Sequence, residues 1–141
     1  MQGFNLRDGN MKLTLALPAA PGTVISAAGL DLEAGSFADF IAQSEILVSA
    51  PAVTTAMLPN GITMTYNLVV SASPNLSSPT IIQQSVLVQT GAGGAGAVAA
   101  TARARLPTNV GSIGRYVGLQ VVEAATGGNS STVSATLEVL F

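Results

Sequence analysis

The chain has 141 residues, 48% of them apolar, 9% charged and 4% aromatic, with no cysteine, histidine or tryptophan and a net charge of −2. That length holds a single core. The missing cysteine and histidine exclude a disulfide framework, a thiolate nucleophile, zinc sites built on thiolate or imidazole, and the usual general base. With five cations and a pI near 4.7 there is no electrostatic footprint for nucleic acid, and no window approaches the ~18 apolar residues of a membrane-crossing helix.

The charged share lies far below the roughly 25% of ordinary soluble proteins. Together with a mean hydropathy of +0.53, this points to a component of an assembly, part of whose surface is covered by neighbours.

In chain order, residues 1–11 are polar and rich in Gly and Asn, with Phe4 and Leu6 as the large anchors. They read as an arm ahead of a single domain over residues 12–141. An arm can reach a neighbour, so Phe4, Leu6 and Arg7 are candidate partner contacts. Lys12 ahead of Leu13, Leu15, Ala16 and Leu17 resembles a short signal peptide, but Pro18 cuts the apolar run to about five residues where about seven are needed. The same stretch, residues 12–17, alternates as a strand ended by Pro18. Residues 22–28 form a second, entered through Pro21-Gly22 and left at Gly29, with turn chemistry that fits a tight connection between the two.

Ser36 followed by Asp39 makes a start like a capping box, and Phe37, Phe40 and Ile41 share a face, so a short helix is expected over residues 36–43. Residues 44–49 read as a strand ended by Pro51, and Pro59-Asn60-Gly61 is a turn. It launches the clearest internal strand, where Ile62, Met64, Tyr66, Leu68 and Val70 alternate with Thr63, Thr65, Asn67 and Val69. After a serine-rich loop holding Pro74, residues 80–89 are a further strand, followed by a flexible glycine loop over 91–96. Val98, Ala100, Ala102, Ala104 and Leu106 then alternate with Thr101, Arg103 and Arg105, which places both arginines on an outward face of a strand ended by Pro107.

The last stretch holds two strands, residues 115–123 and 131–140, joined by Thr126-Gly127-Gly128-Asn129. In the second, Val133, Ala135, Leu137, Val139 and Phe141 share one face, so the C-terminus closes the fold. About eight short strands with almost no helix give an all-β antiparallel sandwich, read as an eight-stranded jelly roll with at most one short helix. No internal repeat is visible, which argues against a propeller or solenoid.

Gly91-Ala92-Gly93-Gly94-Ala95-Gly96 matches the glycine fingerprint of dinucleotide-binding folds, with Glu123 as a conceivable ribose acid. Glu123 lies farther on than the ≈ 20 residues such an acid needs, and the chain before the loop is not built of βαβ units. A mobile hairpin loop is the better reading. Asp31, Glu33, Asp39 and Glu45 could in principle supply the paired carboxylates of a glycosidase, but they lack aromatic neighbours and read as a solvated acidic face. Hydroxyls are plentiful, yet no base stands ready to activate one. No catalytic residue, metal ligand or cofactor is therefore expected. Arg103 and Arg105 are candidate partner contacts, since a guanidinium recognises carboxylates at interfaces, with plain solubility as the alternative. Tyr116 is expected to pack its ring inward as a core or rim residue.

The run Asn67-Leu68-Val69-Val70-Ser71-Ala72-Ser73, then Arg105-Leu106-Pro107, Arg115-Tyr116-Val117-Gly118-Leu119-Gln120, Gly127-Gly128-Asn129 and Val133-Ser134-Ala135-Thr136-Leu137 resembles the capsid cement, or decoration, proteins of tailed bacteriophages. The resemblance covers roughly residues 44–141 and leaves the arm and the glycine loop unmatched. It implies a small jelly-roll structural protein, without enzymatic activity, bound to the outside of an icosahedral virion assembled in the host cytoplasm. Its implied partners are the major capsid protein, whose neighbouring subunits it clamps, and itself, as a homodimer first and a homotrimer second, with no nucleic acid and no membrane. The alternative from another class is a carbohydrate-binding or adhesin-type sandwich. That would need an exposed aromatic platform, and the periodicity spends most of the aromatic residues on the core.

Overall fold

The computed structural model describes residues 11–32, 45–106 and 114–140. The candidate contacts Phe4, Leu6 and Arg7, the helix expected over 36–43, and Pro107 lie outside the described residues. Nine strands are present among the described residues: β1 (Lys12–Ala16), β2 (Gly22–Ile25), β3 (Leu30–Asp31), β4 (Glu45–Ala50), β5 (Thr63–Ser71), β6 (Thr80–Thr90), β7 (Ala100–Arg105), β8 (Tyr116–Glu123) and β9 (Ser134–Leu140). No helix occurs among the described residues.

Two antiparallel sheets form a sandwich. One has the order β1-β9-β4-β7, and the other β2-β8-β5-β6 with β3 also on β8. The pairs are nested, with β5 against β6 innermost, then β4 against β7, β2 and β3 against β8, and β1 against β9 outermost. This is one long hairpin rolled up, the jelly roll that the strand spacing predicts. The ninth strand arises because the stretch expected over 22–28 is interrupted. Between the pairs Ile25↔Gln120 and Leu30↔Val117, four residues face two, and Ser26 Oγ accepts the Leu119 N–H at 3.2 Å. The surplus residues leave the ladder as at a bulge.

Period-two patterning fills the space between the sheets. Ile46 and Val48 of β4 with Ala135, Leu137 and Val139 of β9 face Met64, Tyr66, Leu68 and Val70 of β5 and Val117, Leu119 and Val121 of β8, and all are completely buried. Val69 points to the opposite face of β5, as the alternation requires, yet it too is completely buried and lies outside that core cluster. The loop after β5 folds back over this outer face and buries Leu76 there. Gly118 makes the room, since a Cβ on it would come to 2.2 Å from Leu76 Cδ1.

β8 and β9 each sit between two strands, so the last strands occupy the middle of both sheets and close the fold from the C-terminal side. They do not pair with each other. The turn Thr126-Gly127-Gly128-Asn129 carries the chain from one sheet to the other, with Thr126 at φ +72°. β1 and β2 likewise lie in different sheets, so the Pro21-Gly22 connection crosses the sandwich. β1 stays with β9 up to the bond from Leu17 N–H to Val133 O (3.0 Å), and Pro18 then has no N–H to continue the ladder.

Candidate partner-binding surface

The outer face of the four-stranded sheet is built by the same alternation that fills the core. Its register sets Thr14, Thr136, Ser49 and Thr101 in one row and Lys12, Glu138, Leu47 and Arg103 in the next. Arg103 and Arg105 both stand exposed on β7, at the edge of this sheet. Glu45 lies opposite Arg105 in register and accepts a hydrogen bond from Arg103 Nη1 at 3.2 Å. The pair is largely solvated, so its contribution to stability is below about 1 kcal/mol. Arg105 has no ion-pair partner among the described residues, which leaves its guanidinium able to take a carboxylate from outside.

The carboxylates expected to form one acidic face are separated. Glu45 belongs to the four-stranded sheet, while Asp31 lies on β3 in the other, where Arg115 grips it through Nε (2.5 Å) and Nη2 (2.6 Å). This fork pins β3 to the start of β8. Glu33 and Asp39 lie outside the described residues. The Arg115 guanidinium also stands 5.6 Å from the centre of the Tyr116 ring. Tyr116 pairs with Ser71 on the outer face, half-buried, so it is a rim residue, although its ring is not turned inward. Its neighbour Val117 takes the core position, and alternation sends Tyr116 the other way. With Tyr66 completely buried, neither described tyrosine forms an open platform for a sugar.

The two ends of the glycine loop are packed, while residues 92–95 between them are exposed. A Cβ on Gly91 would fall 2.0 Å from Pro59 O, and one on Gly96 2.0 Å from Val53 O. The N–H of Gly91 is given to Ile62 O, that of Ala92 to Gly96 O, that of Gly93 to Asn60 Oδ1, that of Ala95 to Ala92 O and that of Ala97 to Val53 O. A phosphate cradle needs such groups free and a helix behind them, and here a strand follows. Gly91 and Gly96 serve close backbone approach between the loops at this end of the sandwich.

Two buried polar groups belong to that same end. Tyr66 Oη donates to Gln89 Oε1 at 2.7 Å, and Gln89 Nε2 donates to Pro51 O (2.8 Å) and Val98 O (2.9 Å). One amide therefore ties β5 and β6 to the segments after β4 and before β7. Burial pushes the Tyr66 hydroxyl well above the ordinary tyrosine range, helped by the charge of Glu123. Glu123 closes β8 on the inner face and is only 2% exposed, with no hydrogen-bond partner for either carboxylate oxygen among the described residues. Burial raises its pKa, and the nearby Gly128 N–H, itself bonded to Met57 O at 2.9 Å, lowers it by less. Neither Gln89 nor Glu123 in these roles is foreseen from the sequence. The signal was alternation, which puts Gln89 two residues from Leu87 and Glu123 two from Val121 on inward-facing positions. No group of three or more His, Cys, Asp and Glu able to hold a metal occurs among the described residues.

No protein-family model matches the chain, and no curated protein matches it. Among solved structures, a chain of "Structure of infectious bursal disease virus Gx strain" is similar at 15% identity with a TM-score of 0.35, over 98% of this chain and 32% of that one. This chain thus spans about a third of that neighbour's length.

Proposed function

We propose that the protein is a structural virion component of the cement type, which binds the outer surface of an icosahedral phage capsid and clamps neighbouring major capsid subunits. The observation that carries the reading is the resemblance running through residues 44–141, whose Arg115-Tyr116 strand and final strand are the central strands β8 and β9 of a jelly roll. The low charge of the chain supports it, because small and neutral side chains suit a surface that stays covered in an assembly. The candidate contacts are Phe4, Leu6 and Arg7 of the arm, with Arg103 and Arg105 on the exposed β7 edge. The role requires no reaction, cofactor, nucleic acid or membrane.

The mechanism is linkage. A protein that binds the assembled shell and not its separated subunits stabilises the shell by RT ln(1 + [L]/Kd) per site, about 2.7 kcal/mol at a hundredfold excess over Kd. Repetition over a symmetric shell multiplies that term without any strong single contact. Self-pairing, as dimers first and trimers second, would let one unit hold two or more capsid sites. The test is retention on purified shells lacking this protein. Removing residues 1–10 and, separately, making Arg103→Ala with Arg105→Ala should each reduce occupancy. Full occupancy by both variants would overturn the assigned contacts, and no binding by the intact protein would overturn the reading.

A further inference from the structure

Three buried side-chain oxygens lack a hydrogen-bond partner among the described residues: Glu123 Oε1, Glu123 Oε2 and Ser130 Oγ. All lie within residues 123–130, the end of β8 and the connection that takes the chain to the other sheet. Buried polar groups are almost always paired, so orphans gathered in one connection mark a place where closing the chain leaves lost hydration unreplaced. Glu123 is fixed there by its main chain. It is the last residue of β8, with Met64 of β5 opposite on one side and Gly22 of β2 on the other. The connection then lies directly on its carboxyl: a Cβ on Gly127 would collide with Glu123 Oε1 and Cδ, so glycine at this position lets the chain close over the acid.

This cover is lightly held. Ala124 gives its N–H to Thr63 O (3.0 Å) and Ser130 gives its own to Pro18 O (2.8 Å). Between these anchors, the main-chain bond that reaches another described segment is Gly128 N–H to Met57 O, at 2.9 Å. The Gly127 N–H stays inside the turn, on Ala124 O at 3.2 Å, and Thr126 sits at φ +72°, a backbone region that β-branched residues rarely adopt. Among the described residues no cation faces the carboxyl. Tyr66 of β5 is the titratable group coupled to it, and that hydroxyl is committed to Gln89 Oε1 at 2.7 Å. Gly22 faces it from β2, and neither the cover nor the loops over residues 17–21, 51–62 and 91–99 at this end contains a charged residue. Lys12, Arg103 and Arg105 stand on the outer face of the other sheet, and Arg115 is bound to Asp31 at the far end of the sandwich. An ionised Glu123 is thus a covered charge with no counter-charge, and burial accordingly favours its protonated form.

We infer that the connection over residues 124–130 is a pH-operated cover, closed over Glu123 while the carboxyl is neutral and lifted when the carboxyl ionises. An ionised carboxylate recovers its hydration only if water reaches it, and the ladder between β2 and β5 keeps Glu123 from swinging out with its own strand. The movement therefore falls to the weakest link. Gly128 releases Met57 O, and the turn rises between its anchors at Ala124 and Ser130 while the sandwich stays folded. The sign follows from linkage. The closed state keeps its proton to a higher pH than the open state, whose solvated carboxyl titrates in the ordinary range near about pH 4. Opening therefore becomes more favourable, by up to about tenfold per pH unit, from that range up to the raised pKa of the closed state, and levels off beyond it. The device belongs to this chain alone, so its failure and the failure of the shell-binding reading are separate results.

Amide hydrogen exchange of the full chain, followed by NMR from about pH 4 to about pH 7.5 and corrected for intrinsic exchange, reads the opening constant at each amide. The Gly128 constant should rise at least about tenfold across this range. At every pH it should exceed, by about a hundredfold or more, the constant of a core amide such as Val121, which opens only when the whole domain unfolds. In Glu123→Gln, which keeps the shape of the side chain and cannot ionise, the Gly128 constant should stay at its low acid value throughout. Should that variant fail to fold, the native chain still carries the test: the Glu123 carboxyl carbon and the Gly128 amide should titrate with one shared midpoint above the ordinary carboxyl range. A Gly128 constant that is flat or falls as pH rises, one equal to that of Val121, the same rise in Glu123→Gln, or separate midpoints for the carboxyl and the amide would each overturn the device.

Discussion

Replacing Gln89 by alanine is the sharpest probe of how this sandwich is held at the glycine-loop end. The side chain accepts from Tyr66 Oη and donates to two main-chain oxygens, so its loss leaves a hydroxyl and two carbonyls without those partners. A buried polar group left unsatisfied costs about 1–3 kcal/mol. Tyr66 Oη keeps a weak contact to Met64 Sδ at 3.3 Å, and water reaching the space partly serves the carbonyls. The expected loss is therefore about 3–4 kcal/mol, a large part of the 5–15 kcal/mol that usually separates folded from unfolded domains. At roughly 3 °C per kcal/mol for a chain of this size, the melting temperature should fall by about 10 °C. Tyr66→Phe removes one bond and one buried hydroxyl and should cost about 1–2 kcal/mol. Urea denaturation of both single variants and the double variant gives the coupling between the two side chains. A loss below about 1 kcal/mol for Gln89→Ala, or simple additivity in the cycle, would refute the claim that this amide is the tie between the four segments.

Other consequences are equally direct. Gly96→Ala, with its Cβ 2.0 Å from Val53 O and a backbone φ of +68°, should destabilise by about 3 kcal/mol or more, while Gly93→Ala meets only the Asn60 side chain at 3.5 Å and should stay within about 0.5 kcal/mol; equal denaturation midpoints would contradict the packed loop. Leu76→Ala should cost about 2–3 kcal/mol in the same assay, since it empties the small apolar cluster over Val69 and Gly118, and a neutral result would dissolve that cluster. Glu123 has a raised pKa in the folded state, so its charged form opposes folding. The cost is absent below the unfolded carboxyl range near pH 4 and grows as pH rises from there through the folded value. Glu123→Gln should therefore raise the melting temperature at pH 7 and change it little at pH 4, and a variant less stable at pH 7 would reverse the assignment. Arg103→Ala breaks an exposed ion pair and should shift stability by no more than about 0.5 kcal/mol, so any loss of shell retention in that variant would come from binding.

Much of the architecture is written in the two-residue alternation. It places Ile46 and Val48, Met64, Tyr66, Leu68 and Val70, and Ala135, Leu137 and Val139 on inner faces, sends Arg103 and Arg105 outward, and predicts the jelly roll from strand number and spacing. Alternation gives faces, however, and not partners. Pro21-Gly22 and Thr126 to Asn129 mark changes of direction, and nothing in their chemistry says that each carries the chain to the opposite sheet. The break between β2 and β3 depends on Ser26 bonding Leu119, a residue far along the chain. Val98 fails to follow the apolar alternation of β7 because the strand begins only at Ala100. Val69 is buried from outside by a loop whose return path no local pattern encodes. The tie through Gln89 and the lone buried carboxyl of Glu123 lie on positions where alternation points inward, but residue type argues the other way, and only packing decides between the two signals.

The measurement that tests the functional account most directly is sedimentation of the protein with isolated shells that lack it, read together with shell survival under heat or low salt. The account predicts saturable binding at a fixed number of copies per shell and a rise in the shell's melting temperature that grows with the logarithm of free protein concentration. Protein that stays in solution, or that coats shells without saturation and leaves their melting temperature unchanged, would contradict it.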